Sequence, residues 1–236
     1  MKQEQHYEQV GVAMTCRGYA EYERMFGLNA ELLKSGPVLD VAAGASSFAA
    51  EVRSMGVDVV CADPRYAMSP EQIGEEGAAE IESSTLKLAG LAGKFDWSYY
   101  GNPQSHKAGR LESLDRFLSD YSLVGARERY VPDKLPSLSF ADNRFALVLC
   151  SHFLFLYGDQ FDDTFHRAAL EELLRVCRPG GEVRVYPLLS LRWERYPGLP
   201  ALIAFLESRG ASCELRTSGL PFIPGSSEML CITKKT

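Results

Sequence analysis

One stretch, residues 37–63, constrains the fold more than any other part of the chain. It begins with a short apolar run that ends in Asp40, continues through a loop of small residues around Gly44, and then repeats apolar residues at helical spacing. Gly56 ends this pattern, and a second apolar run leads to a second acid, Asp63. Strand, small-residue loop, helix and strand in this order predict a βαβ unit.

A βαβ unit with such a loop is typical of sites for nucleoside-bearing ligands. Small side chains let the backbone approach a ligand, and the start of the helix offers free N–H groups. Asp63 occupies the position from which a carboxylate can accept hydrogen bonds from a ribose diol. The stretch therefore predicts a nucleoside site beyond the ends of the first two strands.

The composition fits one large globular domain, residues 1–236, with 46% hydrophobic and 24% charged residues. No apolar run approaches the roughly 20 residues that span a bilayer. The first ten residues, MKQEQHYEQV, are polar and lack the apolar core of a signal peptide. These features predict a cytoplasmic protein with no membrane partner.

The six cysteines form no CxxC pair, so we expect reduced, buried thiols. Histidines, cysteines and acids show no metal-ligand spacing, so no metal is predicted. The net charge of −6 disfavours a broad phosphate-binding surface and leaves room only for a local basic patch. No oligomeric state is predicted.

Apolar periodicity divides the rest of the chain into further elements. A helical segment is expected over residues 1–35, and a helical insertion over about 67–124, too long for a simple loop between strands. Residues 218–227 are too few for a parallel crossover, so the last two strands should be antiparallel neighbours. The remaining predicted elements are strands at 126–131, 145–150, 182–189, 212–217 and 228–233, and helices at 159–178 (ended by Pro179, Gly180 and Gly181) and 199–208.

Four segments together resemble the class I S-adenosylmethionine-dependent methyltransferases. VLDVAAGASSF, at 38–48, is similar to their first motif, and Asp63 matches the acid that follows their second strand. LSFADNRFALVLCSH, at 138–152, resembles the segment that leads into the fourth strand. LEELLRVCRPGGEVRVY, at 170–186, resembles the helix, Pro-Gly-Gly and strand that come next.

The resemblance implies a Rossmann-like α/β fold. Its seven-stranded sheet would be mostly parallel with an antiparallel last strand, with helices on both faces and between the first five strands. It also implies S-adenosyl-L-methionine as the cofactor. The cofactor-binding residues carried over are Asp40, Ala42 and Gly44 on the methionine side, Asp63 and Pro64 at the ribose, Asp133 and Leu135 at the adenine, and Ser151.

The chain departs from the family pattern at three places, one of which is Phe145-Ala146, where the family often has Phe-Asp. Ala42 and Ser46 stand where glycines are common, and an alanine is tolerable there if its φ stays negative. Asp133 is one position from the usual acid, with Lys134 in that slot.

His152 follows the fourth strand at the rim where the methyl group would lie. It is the candidate general base, since histidine has a suitable intrinsic pKa, or else it bonds a backbone group and shapes the pocket. The insertion is interpreted as a lid that sets specificity or as a cover for the sheet edge. The candidate acceptor-binding residues are Arg17, Tyr19, Tyr99, Tyr100, His106, Tyr157 and Tyr186.

The function predicted is methyl transfer from S-adenosylmethionine to an oxygen or nitrogen of a small molecule. One alternative is an RNA or protein acceptor, held by a basic rim of Arg65, Lys107, Arg110, Arg127 and Arg129. A second is a cofactor-binding module without activity. A nicotinamide-dependent dehydrogenase on the same fold would show GxGxxG with no acid closing the first strand, unlike AAGASS after Asp40.

Overall fold

A computed structural model describes residues 7–235, so the first six residues of the predicted helical segment 1–35 lie outside the described range. Seven α-helices occur in the described part: α1 (Tyr19–Phe26), α2 (Ala30–Leu33), α3 (Phe48–Ser54), α4 (Pro70–Gly90), α5 (Pro103–Tyr121), α6 (Asp163–Val176) and α7 (Leu199–Ser208). The strands are β1 (Val38–Val41), β2 (Val59–Ala62), β3 (Tyr130–Val131), β4 (Phe145–Ser151), β5 (Cys177–Tyr186), β6 (Ala211–Thr217) and β7 (Glu228–Lys234).

The seven strands form one sheet in the order β3-β2-β1-β4-β5-β7-β6. The first five strands run parallel, and β7 is antiparallel to both β5 and β6. The predicted Rossmann-like sheet and its antiparallel last strand are confirmed. The carboxyl ends of β1, β2 and β4 therefore meet at one edge, which is where a ligand site is expected.

The central strands are buried on both faces, which explains their continuous apolar sequence. Successive residues point to opposite faces, so Val38 and Leu147 join one core while Leu39 and Val148 join the other. Helices α1, α3, α4 and α5 supply the first core, and α6 and α7 supply the second.

Helices α4 and α5 occupy most of the predicted insertion. Each begins with a side-chain cap and a proline in its first turn: Ser69 accepts from Gln72 at α4, and Asn102 accepts from Ser105 at α5. Phe117 of α5 is fully buried in the first core. The insertion is therefore packed against the sheet layer.

The structure differs from the predicted elements around the third strand. The strand predicted at 126–131 is a 3₁₀ turn, Ala126–Glu128, followed by only two strand residues. The charged run at 127–129 provides no alternating apolar face for a longer strand. No helix separates β3 from β4, although one was predicted between each of the first five strands. Residues 132–144 form a loop instead.

The helix predicted at 159–178 is shorter at both ends. Asp162 caps it by accepting from the N–H of Phe165, so helical residues begin at Asp163. Cys177 is extended and already pairs with Phe145 in the sheet. β5 therefore starts before the Pro-Gly-Gly segment, which forms an irregularity within the strand, and it ends three residues before the predicted Leu189.

All six cysteines are free thiols; five are buried and Cys213 is partly buried. Within residues 7–235, no helix combines the length and the apolar character needed to cross a membrane.

Asp40 places a carboxyl group in the centre of the sheet, in a strand with no solvent exposure at that residue. Neither oxygen has a hydrogen-bond partner among the described residues, although the Tyr22 hydroxyl interacts with the group. Burial raises the pKa of Asp40 to about 8, with a smaller contribution from Asp63. The neutral acid is therefore its main form at pH 7.

This burial predicts a pH-dependent stability. Because the folded-state pKa is raised, the native state holds a proton that the unfolded chain releases between about pH 4 and pH 8. The contribution of Asp40 to the free energy of unfolding is fully present below about pH 4 and is lost as the pH rises to about 8. Within that window the free energy of unfolding falls by at most about 1.4 kcal/mol per pH unit. Asp40→Asn has a side chain that does not ionise. The free energy of unfolding of this variant, measured relative to that of wild type, should therefore be greater at pH 8 than at pH 5.

Urea unfolding of wild type and Asp40→Asn at the two pH values measures this difference. Asp58→Asn is the matched control, because Asp58 is exposed. An Asp40→Asn difference that is the same at pH 5 and pH 8 would contradict a raised pKa.

Candidate functional site

Two adjoining cavities open at the carboxyl edge of the sheet. The strand-end cavity, about 410 Å³, lies beyond β1 and β2. The insertion cavity, about 110 Å³, lies beneath α4 and α5. Ala13, Thr15 and His152 line both, so the two spaces meet at these residues.

The strand-end cavity brings together six residues singled out from the sequence: Ala42, Asp63, Pro64, Asp133, Leu135 and His152. They come from the ends of three neighbouring strands and from the loop after β3. Their convergence follows from the parallel order of the strands.

Asp63 is the most strongly constrained of these residues. One carboxylate oxygen accepts from the N–H of Gly44 at 3.0 Å, and the other accepts from the N–H of Arg65 at 2.9 Å. Burial raises the pKa of Asp63, while these amides and the Arg65 charge oppose the rise. Each oxygen keeps a second lone pair for a ligand hydroxyl.

The loop after β1 depends on two left-handed residues. Gly44 has φ +57°, and a Cβ there would come within 2.8 Å of the Thr15 carbonyl oxygen. Ala42 has φ +56°, so the expectation of a negative φ at this alanine is wrong. An alanine in that region costs about 1 kcal/mol, which the bond from its N–H to the Ala62 carbonyl helps to offset.

Three of the predicted cofactor residues lie behind the cavity wall. Asp40 is inside the sheet, and Gly44 contributes its backbone to the loop that Asp63 holds. Ser151 is buried, with its hydroxyl 3.0 Å from Nδ1 of His152. These residues support the wall rather than form its surface.

Asp133 lines the cavity, but one of its oxygens is occupied. Oδ2 accepts from both the N–H and the hydroxyl of Ser139, at 2.7 and 2.6 Å. These bonds shape the loop that carries Lys134 and Leu135 to the cavity.

His152 lies at the junction of the cavities in a left-handed conformation, with φ +51°. Its N–H donates to the Tyr186 carbonyl at 2.6 Å, which fixes the turn after β4. Burial, together with the positive charges of Arg17 and Arg110, lowers its pKa well below the usual value. The imidazole is therefore neutral at physiological pH.

Arg17, His106 and Tyr157, three of the predicted acceptor-binding residues, line the insertion cavity. Arg17 is only 9% exposed, and its Nε and Nη1 have no hydrogen-bond partner among residues 7–235. Burial and then Arg110 lower the pKa of Arg17. A buried guanidinium with free donors in a cavity is suited to bind an anionic group.

The carboxylate of Glu21 lies between the guanidinium groups of Arg110 and Arg17 and forms an ion pair with each. Glu21 lies 2.7 Å from Arg110 and 3.9 Å from Arg17. Arg110 also donates to the Cys16 carbonyl and to the Tyr100 hydroxyl. Burial alone would raise the pKa of Glu21, but the two arginines hold it below its usual value. One positive charge remains uncompensated within this group.

The other four candidate tyrosines do not line either cavity. Tyr19 and Tyr99 line a separate surface pocket beside α1. Tyr100 is held behind the insertion cavity by Glu21, and the Tyr186 hydroxyl donates to the Leu220 carbonyl. Tyr100 and Tyr186 still pack their rings against His106 and His152 respectively.

Several lining residues were not identified from the sequence. In the strand-end cavity these include Phe153, Phe161 and Phe165. In the insertion cavity they include Tyr7, Glu80, Leu88, Phe95, Trp193 and Phe222, which come from distant parts of the chain. Only topology brings these together, so no local motif could have shown them.

No cluster of three or more metal-binding side chains occurs in the part of the chain that the structure describes.

Comparison with known proteins identifies one close relative. The chain is 32% identical over 219 residues to an uncharacterized protein of Methanocaldococcus jannaschii, MJ0045, covering 92% of this chain and 94% of the relative. No family model matches the sequence.

Among solved structures, the PH0226 protein of Pyrococcus horikoshii aligns with a TM-score of 0.50 at 14% identity, covering 92% of this chain and 90% of that one. An S-adenosylmethionine-dependent methyltransferase of Methanosarcina mazei aligns with a TM-score of 0.48 at 12% identity, covering 89% and 99%. At such identities the likeness is one of fold. The chain thus belongs to the same family as protein MJ0045, and its sheet is Rossmann-like.

Proposed function

We propose that this protein transfers a methyl group from S-adenosylmethionine to a small-molecule acceptor. The observation that carries the proposal is the junction at His152, where a nucleoside-sized cavity at the strand ends meets a smaller cavity beneath the insertion. Methyl transfer needs two ligands in contact, each in its own subsite. When bound, the cofactor supplies an activated methyl group on a sulfonium, so the protein's part is to bind, align and exclude water.

The strand-end cavity suits the adenosine portion of the cofactor. Asp63 is fixed by two backbone amides and retains lone pairs for the ribose hydroxyls. Pro64, Leu135 and the three phenylalanines offer apolar walls for a purine ring.

Arg17 suits the carboxylate of the methionine portion, which changes its predicted role from acceptor binding to cofactor binding. Its backbone N–H donates to Ser46, and the Ala45 N–H donates to the Thr15 carbonyl, so the segment lies against the loop after β1. Its Nε and Nη1 have no hydrogen-bond partner among the described residues, and Nε has only a 3.9 Å ion pair with Glu21, so the guanidinium has donors available for an anion. Thr15, two residues away, lines both cavities.

His152 is proposed to orient ligands as a neutral hydrogen-bonding group. A general base must hold the proton that it removes, and the nearby Arg17 and Arg110 disfavour a charged imidazole. The second of its two predicted roles, shaping the pocket, is therefore favoured.

The side chains of the predicted basic rim already have partners within the protein, which favours a small acceptor over RNA. Every one of the five cations is engaged within the protein: Arg65 by Glu76, Lys107 by Glu82, Arg110 by Glu21, Arg129 by Asp120, and Arg127 by the carbonyls of Tyr66 and Met68. Phosphate binding would have to compete with these contacts.

Acceptor class is tested by incubating the protein with S-adenosylmethionine labelled in its methyl group and a cell extract, with and without RNase. We expect label in the low-molecular-mass fraction, unaffected by RNase. Label in RNA or protein alone would contradict the small-molecule proposal, and no transfer beyond the protein-free control would favour a module without activity.

Asp63→Ala tests the ribose contact. Wild type should bind S-adenosylhomocysteine with micromolar affinity, and the variant should bind at least about tenfold more weakly, because a hydrogen bond to a charged group contributes about 1.5–3 kcal/mol. Isothermal titration calorimetry gives both affinities, with Asp58→Ala as the exposed control and circular dichroism as the check of folding. Unchanged affinity would remove Asp63 from the site.

Arg17→Gln tests the carboxylate contact with two ligands. S-adenosylhomocysteine carries the amino-acid carboxylate, whereas 5′-methylthioadenosine keeps the adenosine and sulfur without it. The variant should lose at least about tenfold in affinity for the first and keep its affinity for the second. Arg209→Gln, an exposed arginine of an outer ion pair, is the control. Equal losses for both ligands would contradict this role.

A further inference from the structure

Glu80 is a half-buried acid that lines the insertion cavity, and the proposed function does not use it. It lies on α4, within the insertion, and lines the cavity together with His152. Its Oε1 is buried and has no hydrogen-bond partner in the described chain, residues 7–235. No cation of that same range lies within ion-pair distance of it.

The groups around Glu80 do not neutralise it. Burial raises the pKa values of the Tyr7 and Tyr157 hydroxyl groups, and the charge of Glu80 raises both further. At Tyr157 the hydrogen bond from the Ala13 N–H opposes this rise. The Tyr157 hydroxyl already accepts from the N–H of Ala13 at 2.9 Å. Arg110, the other cation lining the cavity besides Arg17, is held by Glu21 at 2.7 Å.

The cavity that Glu80 lines has aromatic walls. Phe95 and Phe222 stack with ring centroids 4.9 Å apart, and Phe222 in turn stacks on His106 at 5.5 Å. Nδ1 of His106 is buried without a hydrogen-bond partner among the described residues. Burial lowers the pKa of His106 to about 2, so this imidazole is neutral. Aromatic faces beside a carboxylate attract ammonium groups and N–H donors.

We propose that the insertion cavity binds a small amine with an apolar body, its nitrogen held by Glu80 and its body packed against Phe95 and Phe222. This inference rests on the proposed function, because it identifies the acceptor of the same site. Arg17 is assigned to the cofactor carboxylate, which leaves Glu80 as the charge that selects the acceptor. The insertion cavity, about 110 Å³, is smaller than the apolar cavity of about 150 Å³ that holds benzene, so the enclosed part of the ligand can be no larger than about one ring.

The test compares three probes of one shape: benzylamine, benzyl alcohol and benzoate. Each is titrated by calorimetry into the full-length protein saturated with S-adenosylhomocysteine, and the binding of S-adenosylhomocysteine itself is measured first. Glu80→Gln is the test variant, because it keeps the size of the side chain and removes its charge. Glu75→Gln, an exposed position on the same helix, is the control.

Benzylamine should bind wild type at least about tenfold more tightly than benzyl alcohol or benzoate. Glu80→Gln should lose at least about tenfold in benzylamine affinity while keeping its affinity for S-adenosylhomocysteine, and Glu75→Gln should match wild type. The inference would be overturned if benzoate bound as tightly as benzylamine, or if the protein bound S-adenosylhomocysteine but no amine. Either result would leave the proposed function standing. Failure to bind S-adenosylhomocysteine would instead overturn the proposed function.

Discussion

The hydrogen bonds accepted by Asp63 hold the carboxyl edge of the sheet together. They join the N–H of Gly44, in the loop after β1, to the end of β2, and they also fix the turn that begins at Arg65. The Gly44 backbone can reach the carboxylate because it is left-handed and packs against Thr15 without a side chain. Two further hydrogen bonds, from the Arg17 N–H to Ser46 and from the Ala45 N–H to the Thr15 carbonyl, hold the N-terminal segment over the same loop.

A second group of charges joins the insertion to this edge. Glu21 of α1 accepts from Arg110 of α5 and from Tyr100, and this arrangement fixes the insertion over the cavity that His152 adjoins. Buried ion pairs are costly to desolvate and contribute little net stability, so their value lies in fixing one arrangement of the helices. Glu21 balances the charge of Arg110 and leaves that of Arg17 uncompensated within this group. Asp63 lines the strand-end cavity, whereas Arg17 and Glu80 line the insertion cavity, so the two cavities differ in their charged groups.

The sequence predicted the parts of this arrangement that depend on local pattern. Residues 37–63 gave both strands, the helix and the acid, and the short connection at 218–227 correctly predicted an antiparallel pair. The third strand and the Pro-Gly-Gly segment were misassigned because strand pairing there is set by neighbours, Cys61 for Tyr130 and Phe145 for Cys177, rather than by the segment itself. Among site residues, those at strand ends converge as predicted, while Glu80 and Phe222 could be located only from the packing of the insertion.

If the two cavities form one site for an adenosyl ligand and its methyl acceptor, S-adenosylhomocysteine should bind in the strand-end cavity and reach their junction. A crystal structure of the protein with S-adenosylhomocysteine should then show ribose hydroxyls on Asp63, the purine beside Leu135, the carboxylate on Arg17 and the sulfur directed towards His152. A ligand bound with its ribose away from Asp63, or outside the strand-end cavity, would show that the two cavities do not form such a site.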